Sequence, residues 1–194
     1  MIREELDGAR YPLELETFRT TRTGLQLLLR PVKASDGPLL EGLMHGLSDE
    51  SLHARFFTRQ REVPYQQIPE LAAVDYSRAM AIAAVIMNSE TPQEEFLGVG
   101  RYHINPRANT AWISIAVRDD FHNQGIGQAL LSYLSHLARR RGLLGFTAAV
   151  LAGNKPILRI LEQGGFEIKK QPLEGIVMLN LMFRKPGDPL SFSP

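Results

Sequence analysis

Apolar residues recur along the chain with two different periods, and the two periods predict a mixed fold. Runs of strand length cover residues 25–32, 80–87, 96–104, 110–117, 145–151, 166–169 and 176–183. The second, third and fourth runs follow one another through short polar connections, which is typical of an antiparallel meander. In the run at 110–117 the side chains alternate between two faces, as they do in a strand.

Helical spacing marks the segments between these runs. Leu130, Leu134 and Leu137 fall on one face of a strongly amphipathic helix predicted over residues 125–141. The predicted helices begin near residues 38, 48, 70, 125 and 154. Asn154 is a suitable N-cap for the last of them, because its side-chain oxygen can accept a free main-chain N–H group.

The order of elements predicts an α/β (α+β) domain. We expect a mixed, mostly antiparallel sheet of six to seven strands, flanked by about four helices. Residues 25–184 form this domain, preceded by an arm at 1–24 and followed by a flexible tail at 185–194. No repeat or boundary divides the domain further.

Composition narrows the classes of protein that fit. Lys and Arg number 22 against 21 Asp and Glu, so a net charge of +1 gives no bulk electrostatic case for nucleic acid or an anionic membrane. The absence of Cys excludes thiolate chemistry, and the five His residues lack metal-ligand spacing, so no metal is expected. No apolar run reaches the roughly 18 residues of a membrane span. The N-terminus lacks the pattern of a secretory signal, and we expect a cytoplasmic protein.

The segment 117–130 carries the chemistry. A strand ends, a polar loop follows, and Gly125 and Gly127 open the amphipathic helix. Glycine lets a ligand approach the main chain, and the first turn of a helix presents unpaired N–H groups to an anion such as phosphate. A plain strand-to-helix turn is the alternative. The dinucleotide fingerprint is excluded because Leu130 stands where its third glycine belongs, and the Gly-Lys-Ser/Thr of a P-loop is missing.

Together with a second segment, this loop resembles the GCN5-related N-acetyltransferase (GNAT) family. About 27 residues after the glycines, residues 154–166 begin with Asn154, continue as a helix and end in Gly165-Phe166. The resemblance covers residues 25–184. Within it, residues 29–32, 47–57 and 75–76 are similar to the GNAT domain of Pat-type bacterial protein-lysine acetyltransferases.

The resemblance implies acetyl-CoA as cosubstrate and assigns its contacts. Main-chain groups of Ile115, Ala116 and Val117 would pair with the pantetheine arm. The pyrophosphate would bind the N–H groups of Gln124, Gly125, Ile126, Gly127, Gln128 and Ala129. Asn154 would contact the cofactor arm, although a helix cap alone explains it equally. Arg159 would lie near phosphate or, alternatively, on a solvated helix face.

This chain departs from the family pattern at two kinds of position. His122 and Asn123 stand at cofactor-binding positions where Gln or Arg and then Gly are usual, which leaves the main-chain donors in place. Trp112 and Leu161 stand where many relatives carry a Glu base and a Tyr acid. His103 is our candidate base, because imidazole accepts protons near neutral pH. Other candidates are Glu94, Glu95 and His122 as base and Tyr76 or Tyr102 as acid, and a structural role is the alternative for each.

Two hypotheses about function follow. The first is an N-acetyltransferase in which an amine, a protein lysine or a small molecule, attacks acetyl-CoA directly in a ternary complex. The second is a weakly active or inactive CoA-binding sensor that has kept the fold. The sequence identifies neither the acceptor nor the oligomeric state, and a homodimer stays open.

Overall fold

The computed structural model describes residues 10–60, 62–87 and 93–184, with only the backbone of Val63. Its strands are β1 (Thr17–Thr20), β2 (Gln26–Pro31), β3 (Ala79–Met87), β4 (Glu94–Asn105), β5 (Thr110–Val117), β6 (Gly145–Leu151), β7 (Phe166–Leu173) and β8 (Ile176–Phe183). Its α-helices are α1 (Gly37–His45), α2 (Asp49–Phe56), α3 (Glu62–Gln66), α4 (Ile68–Ala72), α5 (Ile126–Arg140) and α6 (Lys155–Glu162).

The described strands form one sheet in the order β1-β2-β3-β4-β5-β6-β8-β7. Every neighbouring pair is antiparallel except β5 and β6, which are parallel and joined through α5. The predicted mixed, mostly antiparallel α/β fold is therefore confirmed. The sheet has eight strands where six to seven were expected, and six α-helices flank it where about four were expected.

The additional strand comes from the segment predicted to be an arm outside the domain. β1 pairs with β2 from Thr17 opposite Leu29 to Thr20 opposite Gln26, so part of the expected arm at 1–24 belongs to the sheet. It is four residues long and mostly exposed, so it carries no hydrophobic alternation that the sequence could reveal. Residues 1–9 and the predicted tail at 185–194 lie outside the described part of the chain.

Helices cover both faces of the sheet. The apolar stripe of α5, with Leu130, Leu134 and Leu137, packs against one face together with α6. Leu40 and Leu43 of α1, with residues of α4, cover the other face at β3. Helices on both faces explain why β3 is apolar at almost every position rather than alternating.

A buried ion-pair cluster ties three segments together at the start of the domain. The guanidinium of Arg30, which is 1% exposed, donates to both carboxylate oxygens of Asp36 at 2.7 and 3.1 Å and to Glu94 at 2.5 Å. Burial alone would lower the pKa of Arg30, but these two carboxylates outweigh it and raise the pKa. The cluster fixes β2, the turn before α1 and the start of β4 relative to one another.

We predict that Asp36→Ala lowers the free energy of unfolding by about 3 kcal/mol or more, because it leaves part of a buried guanidinium unpaired. Urea unfolding followed by circular dichroism measures the change. Glu162→Ala, which breaks the exposed Lys170–Glu162 pair, is the control and should cost less than about 1 kcal/mol. Equal effects of the two substitutions would contradict the importance of the cluster.

Candidate functional site

The two parallel strands at the centre of the sheet pair over a very short distance. On β5 and β6, Ala111 pairs with Phe146 and Trp112 pairs with Thr147. No further pair between these strands follows among the described residues. Beyond this point β5 continues to pair with β4, and β6 with β8. The facing edges of residues 113–117 and 148–151 therefore diverge, and their main-chain groups are available to a ligand.

This divergence opens into a cleft of about 1740 Å³. Its walls come from β5, β6, the first turns of α5 and α6, and α2. The cleft brings together most of the cofactor-site residues expected from the sequence, namely Ile115, Ala116, Val117, His122, Asn123, Gly125, Ile126, Gly127, Gln128 and Asn154. Gln124 and Ala129 belong to the same loop and helix turn, but their side chains do not line the cleft.

The N-terminus of α5 points its unpaired donors into the cleft. Gly125 is the N-cap residue, with a φ of +85° that favours glycine, and no side chain caps the helix. The first helical hydrogen bond runs from the Ala129 N–H to the Gly125 carbonyl at 3.0 Å. The N–H groups of Ile126, Gly127 and Gln128 therefore lack partners among the described residues, and with the helix dipole they form an anion site.

The structure gives a packing reason for glycine at position 127, which the sequence did not show. A Cβ added there would lie 2.8 Å from Cδ1 of Ile160 on α6. The glycine thus lets α6 pack closely beside the first turn of α5. This contact also brings Asn154 and Arg159 to the same cleft.

Asn154 acts as the helix cap that the sequence predicted. Its side-chain oxygen accepts the N–H of Ile157 at 3.3 Å. Its side-chain nitrogen makes no hydrogen bond within the described residues, and the residue lines the cleft. The cap and the predicted contact with the cofactor arm are therefore compatible. Arg159 is exposed and lines the cleft. This position fits both the expected place near phosphate and the alternative of a solvated helix face.

The loop before α5 is held from two sides. The Nε2 atom of His122 lies 2.9 Å from the carbonyl oxygen of Val117. The imidazole therefore forms a hydrogen bond with the last residue of β5. Asp119 accepts the Ser48 N–H at 3.2 Å, and its own N–H donates to Gly46. Burial raises the pKa of Asp119, but hydrogen bonds from Ser48 and Ser51 outweigh it and leave the pKa below its ordinary value.

The β1–β2 turn is a part of the site that sequence reasoning missed. The Thr23 hydroxyl donates to the Gln124 carbonyl at 3.2 Å, and Thr21 lies against Gly125. Arg22 lines the cleft. The polar turn at residues 20–24 is visible in the sequence, but no local pattern relates it to the loop at residue 124.

His103, the candidate base, also lines the cleft. It lies on β4 directly opposite Trp112 of β5, and both side chains are exposed, Trp112 by 46%. Arg101 shares this face of β4, because it is two residues away. Leu161, at the usual position of a Tyr acid, is buried in the core.

Four of the other candidates for proton transfer do not line the cleft. Glu94 pairs with Arg30, and Glu95 pairs with Arg118. The Tyr76 hydroxyl donates to the Val32 carbonyl at 2.7 Å. Tyr102 is fully buried against Phe146, and burial raises its pKa. Of the predicted candidates, His103 and His122 line the cleft, and the ring of His122 is held at the Val117 carbonyl. The other four side chains make structural contacts.

The described part of the chain contains no group of three or more His, Asp or Glu side chains arranged to hold a metal ion. Among the described helices, none has both the length and the apolar character needed to span a membrane.

The mostly antiparallel sheet and its one parallel pair, which diverges beside an unpaired helix N-terminus, fit the acyltransferase class of protein. More particularly, the chain belongs to the acetyltransferase (GNAT) family, whose profile matches residues 50–166.

Two relatives of this chain are named as acetyltransferases. Acetyltransferase PA5475 of Pseudomonas aeruginosa is 24% identical over 149 residues, which cover 77% of this chain and 79% of that protein. Acetyltransferase Pat of Mycolicibacterium smegmatis is 28% identical over 184 residues, which cover 89% of this chain and 50% of that protein. The chain therefore spans half the length of the Pat protein.

Solved structures agree on the fold. The GNAT domain of S. lividans PAT superposes with a TM-score of 0.78 at 26% identity, covering 88% of this chain and 98% of that domain. RimL, a ribosomal L7/L12 alpha-N-protein acetyltransferase in complex with coenzyme A, gives a TM-score of 0.62 at 20% identity, covering 84% and 96%. The second likeness concerns the fold alone.

We predict that Asp119→Ala lowers the free energy of unfolding by about 1 kcal/mol at pH 7. The figure is at the low end for hydrogen bonds to a charged group because this carboxylate is 34% exposed. A lowered folded-state pKa stabilises the fold above the unfolded value near 3.9 and ceases to do so as the pH falls through the folded value.

The difference between the native protein and the variant should therefore shrink below about pH 4, as measured by denaturant unfolding at several pH values. Asp120→Ala, at the neighbouring exposed carboxylate, is the matched control. A difference that stays constant from pH 7 to pH 3 would be inconsistent with this account.

Proposed function

We propose that the protein transfers the acetyl group of acetyl-CoA to an amine by direct attack in a ternary complex, and that it does so in the cytoplasm. The observation that carries the proposal is the set of unpaired N–H groups at residues 126–128, which lie where the β5–β6 divergence meets α5. A phosphate-bearing cosubstrate needs such donors, and GNAT enzymes use acetyl-CoA.

The cleft offers a continuous set of contacts for this cosubstrate. Main-chain N–H groups of residues 124–128 would hold the pyrophosphate, with His122 and Asn123 in the adjoining loop. The Ala129 N–H, also predicted as a donor, is instead bonded to the Gly125 carbonyl. The free edge of β5 at Ile115, Ala116 and Val117 would pair with the pantetheine arm, and the side-chain nitrogen of Asn154 would contact the arm from α6. Arg22 and Arg159 add positive charge to the same cleft and suit the phosphates.

The reaction requires a neutral amine. A free lysine amine has a pKa near 10.4, so about one molecule in a thousand is deprotonated at neutral pH. In the proposed step the amine nitrogen attacks the thioester carbon, the carbon–sulfur bond breaks, and the thiolate of CoA leaves and takes up a proton. His103 would remove the proton from the amine, and main-chain N–H groups of β5 would stabilise the oxyanion.

A CoA-binding sensor without catalysis is the second candidate. The observation that favours it is that Trp112 and Leu161 occupy the positions of the usual base and acid, and neither side chain can transfer a proton. Turnover of acetyl-CoA with a panel of amines separates the two candidates. A protein lysine and a small amine are both open as acceptor, and a homodimer stays a prediction.

We predict that Asn123→Asp weakens acetyl-CoA binding about 5- to 10-fold, because it places a negative charge in the loop beside the pyrophosphate site. The substitution keeps the size of the side chain, and Asp also tolerates the φ of +61° at this position. Isothermal titration calorimetry at low and high salt measures the change, which should diminish at high salt.

Asn109→Asp is the matched control, since Asn109 is another exposed asparagine with positive φ, in the turn between β4 and β5 and away from the cleft. It should leave the dissociation constant unchanged. Equal affinities of the two variants would argue against a phosphate site at this loop.

We predict that His103→Ala lowers kcat/KM for the amine at least about 10-fold, leaves acetyl-CoA affinity nearly unchanged and removes one ionisation from the pH–rate profile. His136→Ala, at an exposed histidine of α5 outside the cleft, should change none of these quantities. An unaltered pH profile for His103→Ala would exclude this residue as the base, whatever the absolute rate.

A further inference from the structure

Two arginines on the helix-covered side of the cleft have no carboxylate partner. Arg55 of α2 stacks on Phe56, with its Cζ atom 4.7 Å from the ring centroid, and forms no hydrogen bond or ion pair in the described structure. Arg101 of β4 donates to the main-chain carbonyls of Glu70 and Leu71 at 3.2 and 3.0 Å. Both side chains line the cleft.

The surroundings of this pair are apolar. Arg55 and Arg101 also line a small hollow walled by Leu43, Leu47, Val99 and Ala116, among other residues. Burial, and then the positive charge of Arg101, lowers the pKa of Arg55 to about 10, so the side chain is still charged at neutral pH. Both side chains are half-buried in the cleft wall, so an anion that binds there meets cations that are only partly hydrated.

No carboxylate among the described residues forms an ion pair with either arginine, although Glu70 and Asp75 partly offset the lowering of the Arg101 pKa by burial. Asp75 accepts main-chain N–H groups from residues 77–79, and Glu70 is exposed. The carboxylate of Asp119 accepts a hydrogen bond from the Ser48 N–H. In the same cleft the Nδ1 atom of His53, on α2, is buried without a hydrogen-bond partner among the described residues. The site therefore offers two guanidinium groups to a ligand.

The position of Arg55 and Arg101 indicates which of the two substrates would contact them. Arg101 lies on the face of the sheet covered by α4, whereas α5 and its phosphate-binding turn lie on the opposite face. Ala116, predicted to contact pantetheine, also lines the hollow. The cations are thus close to the reacting end of the cofactor but on the side away from its phosphates, where a second substrate approaches.

We propose that Arg55 and Arg101 form a carboxylate-binding subsite, and that the amine acceptor carries a carboxylate as well as the amine. This inference rests on the proposed acetyl transfer. A guanidinium binds a carboxylate through two parallel N–H···O hydrogen bonds, which fixes the orientation of the acceptor as well as its affinity. The distal carboxylate of a dicarboxylic acyl group on CoA has the same chemistry, and the experiment separates the two sources.

The test compares acceptors that differ only in the carboxylate. Nα-acetyl-lysine is paired with Nα-acetyl-lysine amide, and glycylglycine with glycylglycinamide, so that both side-chain and α-amines are covered. We expect kcat/KM to be at least 10-fold higher for the carboxylate member of the accepted pair. Arg55→Gln and, separately, Arg101→Gln should bring this ratio close to 1, and the ratio is the readout because a change in the pKa of the amine affects both acceptors alike.

Arg107→Gln, at an exposed arginine of the β4–β5 turn, is the control and should keep the native ratio. A native ratio near 1 would overturn the proposal. Succinyl-CoA with the amide acceptors forms the second arm. If Arg55→Gln selectively removes turnover of succinyl-CoA and leaves the acceptor ratio unchanged, the subsite belongs to the acyl group and our assignment to the acceptor is wrong.

A binding measurement keeps this inference separate from the proposed reaction. Trp112 is the single tryptophan of the chain and lines the cleft, so its fluorescence reports on ligands there. With CoA-loaded protein, the carboxylate member of a pair should bind at least 5-fold more tightly than the amide, and Arg55→Gln should abolish the preference. Preference without turnover would support the subsite and reject the acetyl transfer. Equal binding of both members would reject the subsite.

Discussion

The brief pairing of β5 with β6 is the constraint on which the site depends. Parallel strands need a long crossover, and α5 supplies it, so the start of that helix necessarily lies beside the end of β5. Because the pairing of β5 with β6 stops after Trp112, the rest of β5 keeps one free edge. This edge lies beside the free N–H groups at the start of α5. Divergent strands and an uncapped helix would each be costly in an ordinary core, and a ligand that binds both removes the cost of both.

A cofactor site made of main-chain groups places few demands on side chains. This explains how the loop can carry His122 and Asn123 where the family usually has other residues. His122 uses its ring to close the end of β5, and Asn123 adopts a positive φ that glycine usually provides. Two residues whose identity does matter are Gly125, through its positive φ, and Gly127, because the absence of a side chain lets α6 pack closely.

Periodicity in the sequence was sufficient for the meander, α5 and α6, because each buries a regular apolar face. It was insufficient for β1, whose four mostly exposed residues become a strand only through pairing with β2. The turn that follows β1 reaches the loop before α5, and no local pattern encodes a contact between residues 23 and 124. The relation between Arg55 and Arg101 is equally nonlocal, because α2 and β4 meet only after the sheet has formed.

The unpaired arginines also bear on the absence of a carboxylate base. A positive charge near an amine disfavours its ammonium form and lowers its pKa, and each unit of that shift raises the neutral fraction tenfold. In the proposed reaction, two guanidinium groups close to the reacting end of acetyl-CoA would thus reduce the work left for His103, the proposed base. A carboxylate at position 112 would oppose this effect by stabilising the ammonium. The aromatic side chain of Trp112 therefore agrees with a mechanism in which the surroundings, more than a strong base, supply the neutral amine.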